Sequence, residues 1–346
     1  MKQRVTLSSK VDTAKSTLGA TLARLTARVH SRRSLRTRSR KQWVILSGKG
    51  GTGKTTVTAA LAHLAAREHQ LVLADADVDA ANLELLLSPT VVEEHEYVDG
   101  KVAAIDPQLC TGCGECAEVC RFGAIVAEGL NYRVDPTACG GCAACRYHCP
   151  AKAISMVDSP TGRWFRSETK LGPLFHARLY AGQESSGRLV TQVKQNARLL
   201  ATEVGADLLL IDGPPGIGCP VIAATSGANL AILVAEPSVS GVHDLERILS
   251  TTRHFGVPAV VCVNKADINP AQTAQVKALC ATQQVPLVGA IPFDTTVVEA
   301  MVHRQPVTQY RSSPAAVALQ ALWRDLEPWL EAETEQGPDR HAGRHV

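Results

Sequence analysis

Short apolar runs separated by helix-length amphipathic stretches occupy most of the chain. The runs are WVILS (43–47), LVLAD (71–75), DLLLID (207–212), LAILVA (230–235), AVVCVN (259–264) and LVGAI (287–291). Each is nearly continuous in hydrophobicity, the pattern of a strand covered on both faces. With helical patterns between them, they predict an α/β fold: a doubly wound, mostly parallel sheet. The alternation breaks between about 100 and 158, where Cys, Gly and Pro dominate, and then resumes, so this stretch reads as an inserted domain. Past about 330 the chain becomes charged and Gly-containing, as a frayed tail does. The expected layout is an extension (1–42), a first core segment (43–100), an insert (101–158), a second core segment (159–330) and a tail (331–346).

Charge changes this picture at the N-terminus. Residues 1–42 carry twelve Lys/Arg against one acid, Asp12, a net +11 that leaves the rest of a chain of formal charge +3 at −8. Within them Leu18, Leu22, Leu25 and Val29 are spaced for one helical face, and Arg32, Arg33, Arg36, Arg38 and Arg40 form a patch able to meet anionic lipid or nucleic acid. The composition also suits an organellar transit peptide, a disordered tail or an over-extended translation start, and no chemistry described below requires it. No run reaches the ~18–20 apolar residues that span a bilayer, and no apolar stretch follows the basic N-terminus. A cytoplasmic protein without a signal peptide is expected.

The first strand runs directly into GKGGTGKTT (Gly48, Lys49, Gly50, Gly51, Thr52, Gly53, Lys54, Thr55, Thr56), and a helical pattern starts at Lys54. This is G-x-x-x-x-G-K-[ST] in its strand–loop–helix setting. The glycines let backbone N–H groups turn in around phosphates, and the helix N-terminus adds its positive end. Lys54 is placed to neutralise the β/γ-phosphates and the Thr55 hydroxyl to ligate Mg²⁺. Asp212 ends a buried hydrophobic strand, which is costly unless it meets a cation, so it too is a Mg²⁺ ligand candidate. The following GPPG (213–216) predicts a loop able to rearrange when a γ-phosphate leaves.

Eight of the eleven cysteines fall within forty residues. They read C-x2-C-x2-C-x3-C at Cys110, Cys113, Cys116 and Cys120, and again at Cys139, Cys142, Cys145 and Cys149, with Pro150 following. This repeat resembles that of two-cluster bacterial ferredoxins, in which the fourth cysteine of each run crosses to the other cluster. The resemblance assigns Cys110, Cys113, Cys116 and Cys149 to one 4Fe-4S cluster, and Cys139, Cys142, Cys145 and Cys120 to the second. Arg121 stands where a proline is common. Zinc is the rival metal. Cys262 and Cys280 lie in apolar contexts and read as core.

The loop GKGGTGKT resembles the deviant Walker A motif of the MinD, Mrp and nitrogenase iron protein superfamily, and the likeness extends over about 43–330. It implies a P-loop ATPase whose extra lysine, Lys49, reaches across a homodimer to the partner's nucleotide. It places Asp75 and Asp77, in DADVDAAN (75–82), beside the magnesium and the attacking water. DGPPG resembles the switch II of Mrp-type members. NKAD (264–267) supplies Asn264 and Asp267: an Asn here contacts adenine in MinD-type members, whereas literal NKxD reads guanine in GTPases, so GTP stays open beside ATP. IPFD (291–294) resembles the segment beside the base. Cys219 lies near the cysteine that the nitrogenase iron protein uses for an intersubunit cluster, but no second cysteine lies between Cys149 and Cys219. The segment 171–190 resembles part of superfamily ATPases with inserted ferredoxins, and either carries nucleotide state to the clusters or simply connects; His176 within it has no evident partner. Together these imply an ATP-dependent redox protein with electron donor and acceptor proteins of unspecified identity. An iron–sulfur carrier of the Mrp class and a MinD-like positioning ATPase are the alternatives.

Overall fold

The computed structural model describes residues 41–183 and 187–331. Its strands are β1 (Lys41–Ser47), β2 (Leu71–Asp75), β3 (Thr90–Ile105), β4 (Ile125–Glu128), β5 (Asn131–Val134), β6 (Ile154–Thr169), β7 (Gly172–Leu179), β8 (Leu208–Pro215), β9 (Leu230–Ala235), β10 (Ala259–Asn264) and β11 (Leu287–Ile291). Nine of them form one sheet in the order β11-β10-β9-β1-β8-β2-β7-β6-β3. The seven from β11 to β7 are parallel, and β6 and β3 follow antiparallel. All six strands read from the hydrophobic runs are present. Their side chains alternate between two cores: Trp43 and Ile45 face one with Leu61, Leu319 and Trp323, while Val44 and Leu46 face the other with Val190, Ile248 and Val276. Helices thus cover both faces, which a parallel sheet requires.

Strand β1 begins two residues before its apolar run, because Lys41 and Gln42 are buried and the Gln42 N–H donates to Asn229 Oδ1 at 2.7 Å. The rest of the basic extension and residues 332–346 of the tail lie outside the described residues, and with them every expectation about lipid, nucleic acid or targeting. Among the described residues no helix is long and apolar enough to cross a membrane.

Strands β3, β6 and β7 were not legible as sheet members. β3 and β6 make a ribbon of sixteen residues each, paired from Thr90 with Glu168 at one end to Ile105 with Ile154 at the other. Only 162–169 of β6 also pair with β7; the other half of the ribbon pairs with itself alone and carries the cysteine segment at its tip. That segment holds two short helices (Glu115–Glu118 and Ala144–His148) and the β4–β5 hairpin around a small core of Ala103, Cys116, Ile125, Cys145 and Ile154.

The chain after Asp212 also departs from expectation. β8 continues extended through Pro215, so the DGPPG stretch begins as strand rather than loop. A Cβ at Gly213 would sit 2.5 Å from Leu46 Cδ2 and 2.6 Å from the Ile45 carbonyl oxygen, so only glycine permits this close approach to β1.

Candidate functional site

The C-terminal ends of β1, β8 and β2 lie side by side, where open parallel sheets bind ligands. From β1 the loop Gly48–Gly53 leads into the helix Lys54–Ala65. The Ser47 hydroxyl donates to the Lys49 carbonyl at 2.6 Å, and the Asn264 side-chain amide, from the end of β10, donates to the Thr52 carbonyl at 2.7 Å. Gly53 has φ +96°, and a Cβ there would meet Asn264 Nδ2 at 2.3 Å. Asn264 therefore braces the loop. Asp267 lies apart from it and accepts the Phe293 N–H at 2.6 Å, which ties the NKAD and IPFD segments together. Asp267, Ala290 and Pro292 line an open cavity there.

Asp75 and Asp212 are register partners on β2 and β8, and both are fully buried. Asp212 Oδ1 accepts the Thr58 hydroxyl at 2.9 Å, while Oδ2 is buried without a partner. Burial raises the Asp212 pKa; Thr55, the Lys54 charge and Thr58 pull it down. Asp75 accepts the Asp77 and Leu83 N–H groups at 3.1 and 3.0 Å. Burial and then the Asp212 charge nevertheless push its carboxyl well above the usual range. Asp77 is raised to about 6, chiefly by burial, against the Lys54 charge. A buried carboxylate oxygen lacking a partner, with a threonine hydroxyl nearby, fits a hard divalent cation whose remaining ligands are phosphate and water oxygens. The protein supplies only part of that shell: among the described residues no group of three or more His, Cys, Asp or Glu is disposed to hold a metal ion alone.

Lys49 folds back onto its own chain. Its Nζ lies 2.6 Å from Glu236 Oε2, 3.2 Å from Ser238 Oγ and 3.3 Å from Ser240 Oγ. Glu236 also takes Lys265 Nζ at 3.1 Å, and that ammonium donates to the Gly51 carbonyl at 3.3 Å. The Lys49 hydrogen bond is the main influence holding the Glu236 carboxyl below its ordinary range. Sequence reasoning missed Thr58 and Glu236, though both carried a signal. Thr58 lies one turn beyond Lys54 on the same helical face. Glu236 follows a buried hydrophobic strand, as Asp212 ends one.

At the ribbon tip the eight thiols sort into two sets. Cys110, Cys113, Cys116 and Cys149 line one pocket with Ile105 and Ile154. Cys139, Cys142, Cys145 and Cys120 line another with Ala103 and Phe122. Each set takes three cysteines from one run and the fourth from the other. All eight are free, and the walls are otherwise mainly apolar. Burial raises the Cys116 and Cys145 thiols, and the Ala153 N–H donates to Cys149 Sγ at 3.3 Å. Four thiols around an apolar pocket, one with an amide donor on its sulfur, suit an iron–sulfur cluster. Cys262 and Cys280 are core, with the Cys262 thiol pushed up to about 12 by burial. Cys219 is exposed, at the start of the helix Cys219–Thr225.

The family model for the CobQ/CobB/MinD/ParA nucleotide-binding domain matches residues 43–307. An uncharacterized protein of Methanocaldococcus jannaschii is 33% identical over 199 residues, 58% of this chain and 68% of its own length. A cytosolic Fe-S cluster assembly factor Nubp1 homolog of Drosophila willistoni is 26% identical over 175 residues, and the chain spans 54% of that protein while 44% of the chain is matched. Among solved structures, the septum site-determining protein MinD of Pyrococcus horikoshii with Mg-ADP superposes with a TM-score of 0.52 at 19% identity, over 84% of this chain and 96% of that one. The cell division ATPase MinD of Pyrococcus furiosus gives 0.51 at 21% identity, over 84% and 99%. The chain therefore belongs to the CobQ/CobB/MinD/ParA nucleotide-binding family, with the mostly parallel α/β fold of its MinD members.

Proposed function

We propose that the chain is an ATP-hydrolysing iron–sulfur protein in which the nucleotide state of a homodimer controls electron transfer through two 4Fe-4S clusters. One observation carries this reading: eight thiols in two crossed sets of four stand at the tip of a ribbon rooted in the sheet that holds the phosphate loop.

Lys54 and the loop amides bind the phosphates, and Thr55 with Asp212 holds Mg²⁺, which supplies charge neutralisation. Asp77, whose carboxyl burial raises to about 6, orients the attacking water and takes its proton as the bond between the γ-phosphorus and the β–γ bridging oxygen breaks. Asp75, held by two amides, keeps the Asp75–Asn82 segment in register with the site. Lys49 must leave Glu236 to reach a partner's nucleotide, so exchange of that ion pair accompanies dimer closure. In the insert, the clusters supply one-electron storage. Eight saturating thiolates hold them permanently and keep them from loss to solvent. A nucleotide can shift the dimer only by its differential affinity for two states, so hydrolysis is what resets the switch.

Anaerobic reconstitution tests this. Iron and labile sulfide should load in two equivalent clusters, and MgATP should bind and be hydrolysed by the same preparation. Protein that takes up neither iron nor sulfide sinks the reading.

The likeness to cytosolic Fe-S cluster assembly factors favours a second reading, in which clusters are built and handed on. The two diverge in one assay. If clusters move to an apo-acceptor at a rate that ATP increases, the carrier is correct; if they stay while electrons pass, the redox reading holds.

A further inference from the structure

His176, without evident purpose in the sequence, is buried on β7 and has partners on two other elements. Its Nε2 lies 2.9 Å from Ser167 Oγ on β6, and its Nδ1 lies 3.2 Å from Glu84 Oε2, angled off a full hydrogen bond. Glu84 Oε1 is 2.6 Å from Arg178 Nη2. The imidazole also stacks on Phe165 of β6, ring centroids 5.0 Å apart. Burial lowers the His176 pKa, against the Glu84 charge. With the proton on Nδ1 the ring accepts the Ser167 hydroxyl at Nε2, while its Nδ1 side toward Glu84 falls short of a full hydrogen bond.

The two ends of this chain of contacts lie on different machinery. Glu84 is the second residue of the helix Leu83–Leu87, and its neighbour Leu83 donates its N–H to Asp75. Any displacement of Asp75 bears on that bond, and so on the position of Glu84. At the other end, Ser167 and Phe165 belong to β6. That strand runs without a break to Ile154, which lines the pocket of Cys110, Cys113, Cys116 and Cys149. Thirteen residues of strand span roughly 40 Å. The ribbon is stiffened near its root by Arg166–Glu93 and Arg163–Glu94 pairs at 2.7 and 2.5 Å.

The geometry points to a link: Glu84, His176 and Ser167 pass the nucleotide state sensed at Asp75 and Asp77 to the ribbon that carries the cysteine pockets. It rests on the proposed function, because it needs both a nucleotide at the loop and a cargo at the ribbon tip. His176 is a positioning residue here and touches no reacting atom. In this link the skewed Nδ1 contact is the part that tightens or releases, while Arg178 holds the other oxygen of the same carboxylate.

Hydrogen exchange of the full chain, read by mass spectrometry with and without a non-hydrolysable MgATP analogue, tests this without requiring iron. In the wild type the analogue should slow exchange in 48–58, in 75–87 and, by about fivefold as ordinary coupling allows, in 162–179. Glu84→Gln and Ser167→Ala change little volume, and so avoid the fold loss that His176→Ala risks. Both should keep protection in 48–58 and 75–87 and lose it in 162–179. Variants that retain the full response in 162–179, or a wild type whose response stops at 87, overturn the link while leaving the nucleotide site standing. No protection in 48–58 of the wild type would instead overturn the functional reading beneath it, and the link with it. A second readout uses iron-loaded protein: both variants should hold wild-type iron but lose the effect of nucleotide on iron release to a ferrous chelator. An undiminished nucleotide effect there would also overturn the link.

Discussion

At the residue scale, the nucleotide site is assembled from groups that are unfavourable by themselves. Asp77 has its pKa raised from 3.8 to about 6 in the folded chain. The fold then binds its proton more tightly than the unfolded chain does, so its contribution to stability falls as pH rises from about 4 to 6 and stays reduced above. Asp77→Asn should therefore raise the melting temperature of nucleotide-free protein at pH 7.5 by more than at pH 4, as calorimetry at the two pH values will show. Gly53 holds a positive φ against Asn264, and Gly53→Ala carries both a left-handed backbone penalty of about 1–2 kcal/mol and a clash. ATP binding should weaken by roughly tenfold or more in a titration. The Lys49–Glu236 pair is partly exposed, 33% and 25%, so it restrains more than it stabilises. Glu236→Gln should release Lys49 and move MgATP-dependent dimerisation to lower protein concentration in sedimentation runs; an unchanged or weaker dimer would contradict that role.

Elements were legible to the degree that their physics is local. Six strands announced themselves because burial on both faces writes a continuous apolar run, and the phosphate loop because its glycines and Lys54 sit between a strand and a helix. The ribbon did not. Residues 90–105 read TVVEEHEYVDGKVAAI, and most of them are at least partly exposed, so neither a buried run nor a clean alternation marks the strand. β7 was hidden for another reason. It holds His176 and Arg178, which share Glu84 of a helix more than ninety residues earlier, and no local pattern encodes that contact. The cysteine segment lies between: the resemblance of its repeat to two-cluster ferredoxins implied two crossed thiol sets, and the structure lines two pockets with the same sets. Crossing makes a sharp prediction. Cys110→Ser with Cys149→Ser should lose no more cluster than either alone, whereas Cys110→Ser with Cys120→Ser should damage both clusters. Iron content and electron paramagnetic resonance of the reduced proteins will distinguish these pairs.

On the scale of the whole molecule, a nucleotide-binding sheet of the MinD type is extended at one edge by β6 and β3, and the extension ends in the thiol pockets. The extended edge joins β2, the strand that delivers Asp75, through β7. This placement sets the phosphate loop and the two thiol pockets on one continuous sheet, with no flexible tether between them among the described residues. The most direct measurement is the rate at which the reduced, reconstituted chain is oxidised by a small one-electron acceptor under anaerobic stopped flow. MgATP should change that rate by about fivefold or more, an ordinary coupling, and Lys54→Ala should abolish the change while keeping its iron. Oxidation at one rate, whether or not MgATP is bound, would contradict the account.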